Sequence, residues 1–354
     1  MSIVHHTVSN GTNGRHPVLI EWQPERIAVM RALPGLGDFL CFIPALRALR
    51  TAFPNSEVSL IGLPHIQPLA RRFAHYVDEL LIFPGFPGIG AYPVDRSRLV
   101  TFLTGARGCF DLALQMHGSS EISNHFVDLL GAKKVAGFFA PGQYCPNPTT
   151  FLPYPAEEAE INRHLRLLSF LGIPAQGTQL EFPLLDYDLE KLLELPEALI
   201  LEPGRYVCLH VGASRAEHCW SPHCFAVIAD ELARLGLQVV FTGTAADQER
   251  VEAVMQCMSY DAFNLCGRTT VGILAALFSG ACLLISNDTG VAHLATALHT
   301  ASVVLFMDAA AATSSAPFDR ERHRVLEEAK PDRFTVTNVL QQAYELLLLQ
   351  QESR

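Results

Sequence analysis

The stretch Ala281-Cys-Leu-Leu-Ile-Ser-Asn-Asp-Thr-Gly-Val-Ala-His-Leu-Ala-Thr-Ala-Leu298 decides the architecture. Five apolar residues, too few for a helix that packs alone, run straight into a polar turn and then into an apolar-periodic segment. That pattern is a buried parallel strand, a turn and a helix. Asp288 or Thr289 is placed to cap the helix. Gly290 lets a ligand approach the backbone, and the first helical amides, which lack intrahelical acceptors, favour an anion such as phosphate. Thr289 and His293 are one helical turn apart and share a face, so a hydroxyl and an imidazole lie beside the same amides. Composition alone is equally satisfied by a capped turn with a surface histidine. Val303-Val-Leu-Phe306 supplies the next strand.

Working back from this stretch, a run of alternating units begins at Tyr206-Val-Cys-Leu-His210. Its first turn is Val211-Gly-Ala-Ser-Arg-Ala-Glu-His-Cys-Trp220, after which Ser221 and Pro222 suit the N-cap and first position of a helix that Gly236 stops. Strand Val239 to Thr242, helix Asp247 to Met258, strand Phe263 to Leu265 and helix Val271 to Ser279 lead into the opening stretch.

The first half of the chain repeats the theme. Strand Ile27 to Met30 enters the turn Arg31-Ala-Leu-Pro-Gly-Leu-Gly-Asp38, and a helix follows in which Pro44 either makes a kink or opens a second segment. Strands are expected at Val58 to Ile61, Leu80 to Phe83, Leu112 to Met116 and Val135 to Phe138, with a Pro/Gly/Phe-rich loop from Pro84 to Pro93 long enough to bind or move. Such units place ligands beyond the carboxyl ends of their strands, where Asp38, His117 and Ser119 fall. The segment Pro141 to Pro155 reads as irregular, and proline interruptions after Gly172 mark a domain boundary.

These readings give residues 1–25 as a loose polar tail, 26–180 as one doubly wound domain, 181–204 as a linker, 205–332 as a second such domain and 333–354 as a terminal helix with one apolar stripe. The fold class is α/β. Nucleic acid is disfavoured by a net charge of −10, and no apolar run reaches membrane-spanning length. The charge divides as +1 up to Leu180 and −11 beyond it, so the first half is the one expected to meet an acidic acceptor or, peripherally, an anionic membrane surface. Nine cysteines without a CxxC pair, several in apolar context, fit buried thiols in a reducing cytoplasm. His218-Cys219 and His223-Cys224 match no common zinc spacing, so no metal is expected.

Taken in order, Gly35-Leu-Gly-Asp38 with Pro44-Ala-Leu-Arg-Ala-Leu49, Gln115-Met-His-Gly118, Gly212-Ala-Ser214 with Trp220, and Ser286-Asn-Asp-Thr-Gly-Val-Ala-His293 form a combined signature. From Arg26 to the last helix the chain resembles glycosyltransferase family 9, the ADP-heptose:lipopolysaccharide heptosyltransferases. The resemblance implies a GT-B fold, two Rossmann-like domains facing across a cleft, with the terminal helix returning to the first domain. It implies Asp38 as general base of an inverting transfer. It further implies that Gly212, Ser214, Arg215, Thr242, Asp288, Thr289, Gly290 and His293 hold an ADP-heptose donor, and that Arg31, Gly37, His117 and Ser119 meet a glycolipid or oligosaccharide acceptor. No cofactor or metal is implied, and the site of action is cytoplasmic, at the inner face of the membrane.

Without the family, Asp38 is more readily a helix cap. The sequence departs from the family at Cys219, where the family has Lys or Arg before the tryptophan, and in the loop Met307 to Thr313. A different nucleotide-sugar or acceptor and a catalytically weakened glycan-binding relative therefore stay open. A dinucleotide oxidoreductase fits less well, because the Gly35 turn lacks the third glycine and Glu57 is an imperfect ribose acid.

Overall fold

The computed structural model describes residues 22–90, 92–213, 219–307, 312, 319–327 and 335–352. The expected strands form on short apolar runs, buried on both faces in the central strands and half-exposed in the edge strand β3. They are β1 (Arg26–Met30), β2 (Glu57–Gly62), β3 (Glu79–Ile82), β4 (Leu112–Gln115) and β5 (Lys134–Phe139). Between them lie helices α1 (Leu36–Leu40), α2 (Ile43–Ala52), α3 (Gln67–Arg72), α4 (Arg96–Ala106) and α5 (Glu121–Asp128). A short edge strand, β6 (Phe151–Pro153), falls inside the segment expected to be irregular. Pro44 opens a second helix instead of kinking one: α1 stops at Leu40, and the proline occupies the first turn of α2, where its missing N–H goes unmissed.

Helices α6 (Glu160–Phe170) and α7 (Asp186–Leu193) lead into the second half, and α7 forms within the proline-broken linker. The second half comprises β7 (Tyr206–His210), α8 (Pro222–Arg234), β8 (Gln238–Thr242), α9 (Gln248–Gln256), β9 (Phe263–Asn264), α10 (Val271–Gly280), β10 (Leu283–Asn287), α11 (Gly290–Ala297), β11 (Ser302–Phe306), β12 (His323–Glu327) and α12 (Val336–Glu352).

The sheets are ordered β3-β2-β1-β4-β5-β6 and β12-β11-β10-β7-β8-β9, and every pairing is parallel. Both therefore have the doubly wound order, and each reverses direction between its first and fourth strands, β1 and β4 in one, β7 and β10 in the other. Crevices open there, outside the carboxyl ends. One apolar cluster runs through both halves, from Leu40, Phe42 and Leu46 to Leu277, Phe278 and Leu294. Between the halves, Arg72 on α3 grips Asp188 on α7 with two bonds of 2.5 and 2.8 Å. Gly272 on α10 closes over that pair, leaving no room for a Cβ.

The terminal helix corrects an expectation. Among the described residues it packs on the second domain and not the first: α12 lies on α8, β10 and β11, with Val339, Ala343 and Leu346 inside the core of the second sheet. The apolar stripe was read correctly; what covers it is the sheet nearest in sequence. No helix among the described residues is long and apolar enough to cross a membrane.

Candidate active site

The turn after β1 carries the chain from Met30 into α1, and Asp38 is the third residue of that short helix. Its Oδ2 accepts from the Gly35 amide at 3.1 Å, closing the turn on itself. Oδ1 is approached only by Arg31 Nη2 at 3.9 Å among the described residues, and the side chain stays one-third exposed (34%). The turn's bond thus occupies one oxygen of the carboxylate and leaves the other toward the crevice. Burial in the crevice wall, seconded by the charge of Glu160, raises the proton affinity of Asp38 above the ordinary aspartate value, against the pull of Arg31 and the Gly35 amide.

The opposite wall is the turn after β10. Asn287, fully buried, accepts from the Trp220 amide at 3.1 Å and donates to the Val211 carbonyl at 2.8 Å, so it ties the ends of β7 and β10 to the start of α8. The next residues, Asp288 and Thr289, deliver the chain to α11. Thr289 is the N-cap by position, but its hydroxyl makes no capping bond. The helix starts against the other domain. A Cβ on Gly290 would lie 2.8 Å from the Gly37 amide nitrogen, and one on Gly37 would lie 2.6 Å from His293 Cδ2. His293 is therefore no surface residue: it is buried, with Nδ1 3.5 Å from Sγ of Cys41, the residue that caps the end of α1.

Between these walls lies a crevice of about 940 Å³, lined by Asp38, Gly37 and Glu160 on one side and by Asp288, Thr289, Gly290 and His293 on the other. His210 and Asp247 line it as well. Its size suits a nucleotide-sugar. Among the described residues its lining has four carboxylates and neither Lys nor Arg, so a bound diphosphate would depend on the α11 amides for much of its counter-charge.

Other expected site residues are distributed less simply. Gly212 backs onto the Asp247 carboxylate, and a Cβ there would overlap it. Thr242 is fully buried in β8 with its hydroxyl 3.1 Å from His210 Nδ1, so it acts on the crevice only through that histidine. Ser214 and Arg215 lie outside the described residues, as does most of the Met307 to Thr313 loop.

Of the four residues expected at the acceptor, Gly37 lines the crevice and the others do not. His117 Nδ1 accepts from the Ala32 amide at 3.2 Å, which joins the turns after β1 and β4, and Ser119 is half-buried beyond it. Arg31 is 5% exposed and donates to the carbonyls of Met116 and Asp38 at 2.9 and 3.0 Å, with Glu160 as its ion partner. It is a tether inside the wall and not a cation offered to an acceptor. Glu160 and Asp247 were not singled out from sequence. The Thr244-Ala-Ala-Asp247 spacing is a capping signature that marks the second of these, and the Thr244 amide does donate to Asp247 at 2.8 Å.

Several buried histidines give this structure a pH signature. Burial pushes His164, His210 and His323 each down to about 4, so they stay neutral in the fold at pH values where the unfolded chain is charged. Their folded values lie below the unfolded value of about 6.5, so the unfolded state binds more protons and stability falls as pH drops from there toward 4. Melting followed by circular dichroism should show a steady decline over that window. A flat profile would mean that these imidazoles are protonated inside the fold.

The sequence profile of glycosyltransferase family 9 (heptosyltransferase) matches residues 102–342. The chain belongs to glycosyltransferase family 9. Among curated relatives, the lipopolysaccharide core heptosyltransferase OpsX of Haemophilus influenzae is 30% identical over 304 residues, 80% of this chain and 79% of that protein. Lipopolysaccharide heptosyltransferase 3 of Escherichia coli is 24% identical over 277 residues, 76% and 79% of the two chains. In structure, family 9 glycosyl transferase from Veillonella parvula superposes with a TM-score of 0.78 at 22% identity, covering 92% of this chain and 98% of that one. The E. coli ADP-heptose lps heptosyltransferase II gives 0.72 at 18% identity, covering 92% and 99%. The expected GT-B fold of two Rossmann-like domains is therefore present, and this family 9 member is a glycosyltransferase whose relatives are heptosyltransferases of lipopolysaccharide assembly.

Proposed function

We propose that the chain transfers a heptose from ADP-heptose to a lipopolysaccharide-core or related glycolipid acceptor with inversion at the anomeric carbon. The observation that carries this reading is that Asp38 and the start of α11 at Gly290, 252 residues apart, line opposite walls of one crevice. In the step itself, the Asp38 carboxylate takes the proton of the acceptor hydroxyl as that oxygen bonds to the anomeric carbon. The bond from that carbon to the donor's diphosphate oxygen breaks with its electron pair, and ADP departs. The Gly290 and Val291 amides stabilise the charge that develops on the diphosphate. Asp247 follows the second strand of its domain, where doubly wound nucleotide sites put the acid that accepts from ribose hydroxyls.

On this reading residues 26–180 receive the acceptor and 205–332 the donor. The weakly positive first half supports contact with an acidic core at the cytoplasmic membrane surface. The heptosyltransferase relatives support the sugar. The fold neighbour WaaC of E. coli, solved with ADP, supports the nucleotide.

A second donor is favoured by one observation, the Cys219 that stands where the family has a basic residue. The test is turnover of ADP-heptose with a heptose-deficient core acceptor, read by product mass, beside a thermal-shift panel of ADP, UDP and GDP. ADP is expected to raise the melting temperature most, since ligand at a hundred times Kd adds about 2.7 kcal/mol. A larger shift with UDP or GDP would overturn the donor assignment.

A further inference from the structure

The side of the crevice built by the first domain holds more ionisable groups than a single base requires. Around Asp38 stand Arg31 from the turn after β1, Glu160 and His164 from α6, Cys41 from the end of α1 and His117 beyond β4, with His293 and Asp288 facing from the second domain. Among the described residues one cation, Arg31, is shared between the two carboxylates of this wall, Asp38 and Glu160. Four bonds hold its guanidinium: Nη1 on the Met116 carbonyl, Nε and Nη2 on the Asp38 carbonyl at 3.2 and 3.0 Å, and Nη2 also on the Glu160 carboxylate. The Asp38 carboxylate, at 3.9 Å, is left out of that fork.

We propose that Glu160 is a positioning residue for the transfer: by engaging the Arg31 guanidinium, it keeps that cation on the backbone of Asp38 and off its carboxylate. The inference rests on Asp38 being the base. An arginine that closed the remaining gap would turn the carboxylate into half of an ion pair, lower its proton affinity and occupy the lone pairs that must receive the acceptor's proton. Glu160 prevents this with the same group that opens α6, and its own charge beside Asp38 works in the same direction.

Glu160 is well suited to remain charged. Although burial alone would raise it, His164 and Arg31 hold it down to about 2. His164 lies beneath it, 4% exposed, with Nε2 3.7 Å from Glu160 Oε1 and its ring set edge-on against Phe42.

The test compares pH profiles of kcat for the wild type, Glu160→Gln, Glu160→Asp and Asp38→Asn. Glu160→Gln frees Arg31 to pair with Asp38, so its acid limb should move to lower pH while the plateau falls about tenfold, part of the roughly 10²–10⁴-fold that proton transfer contributes. Glu160→Asp, which keeps the charge on a shorter stem, should lie between it and wild type. Should Glu160→Gln not fold, the limb of Glu160→Asp is read against wild type in the same direction. Limbs that coincide with wild type overturn the role of Glu160 while leaving the base intact. Wild-type activity in Asp38→Asn overturns the base itself, whatever Glu160 does.

Discussion

Replacing Asp38 by asparagine is expected to lower kcat by about 10²–10⁴-fold, the usual worth of a positioned general base, with donor affinity unchanged. The geometry makes this substitution unusually clean. Oδ2 of Asp38 accepts from the Gly35 amide, and an asparagine oxygen placed there keeps the bond that shapes the turn. The amide nitrogen then takes the place of Oδ1, where it donates a hydrogen bond and takes no proton. Alanine would confuse the matter, since it also removes the turn's bond, at a cost of about 1 kcal/mol to the helix start. Single-turnover kinetics with ADP-heptose, together with thermal shift by ADP, separate chemistry from binding. A loss in kcat below tenfold would mean that the proton goes elsewhere, and the proposed transfer would need another base.

How much of this was legible beforehand depends on what each residue has to do. Strands such as β4, β10 and β11 are buried on both faces, so their apolar runs identify them without any knowledge of neighbours. Two of the edge strands, β6 and β12, were not legible. Only three residues make up β6, one of them a proline, and β12 is interrupted by His323, Arg324 and Glu327. Helix α7 hides between prolines because what holds it is partly an ion pair with Arg72, from more than a hundred residues away.

At the site, the glycine turns and the Asp288 to His293 stretch declared themselves by local chemistry. Glu160 did not, because it follows Glu157 and Glu158 and reads as part of a solvated acidic helix start. Arg31 was misread for the complementary reason. A lone arginine beside a glycine turn resembles a substrate contact, and nothing local reveals that Met116, Asp38 and Glu160 converge on it. His293 was placed on a face but not against a partner, since Cys41 comes from the other domain.

That meeting of domains carries the second large effect, expected for Gly290→Ala. Considered alone, α11 should gain from the change, because alanine replaces glycine in a helix at a benefit of roughly 0.5–1 kcal/mol. The new Cβ, however, would lie 2.8 Å from the Gly37 amide nitrogen and 3.0 Å from Leu36 Cβ. Both belong to α1, so no rotation of a flexible side chain relieves the contact. Overpacking of this kind costs about 1–3 kcal/mol, enough to outweigh the local gain and force α1 and α11 apart. Asp38 follows Gly37 directly and must move with it.

A displacement of about 1 Å at a reacting group costs on the order of 10²-fold, and a loss of that size in kcat/KM is expected for Gly290→Ala, together with a net destabilisation of about 1–2 kcal/mol. Gly37→Ala presses instead on the His293 ring at 2.6 Å, a side chain able to turn, so its loss should be smaller. Kinetics of the two variants beside their melting temperatures test the ordering. Wild-type kcat/KM in Gly290→Ala would show that the close approach of α1 and α11 does not set the distance between base and donor.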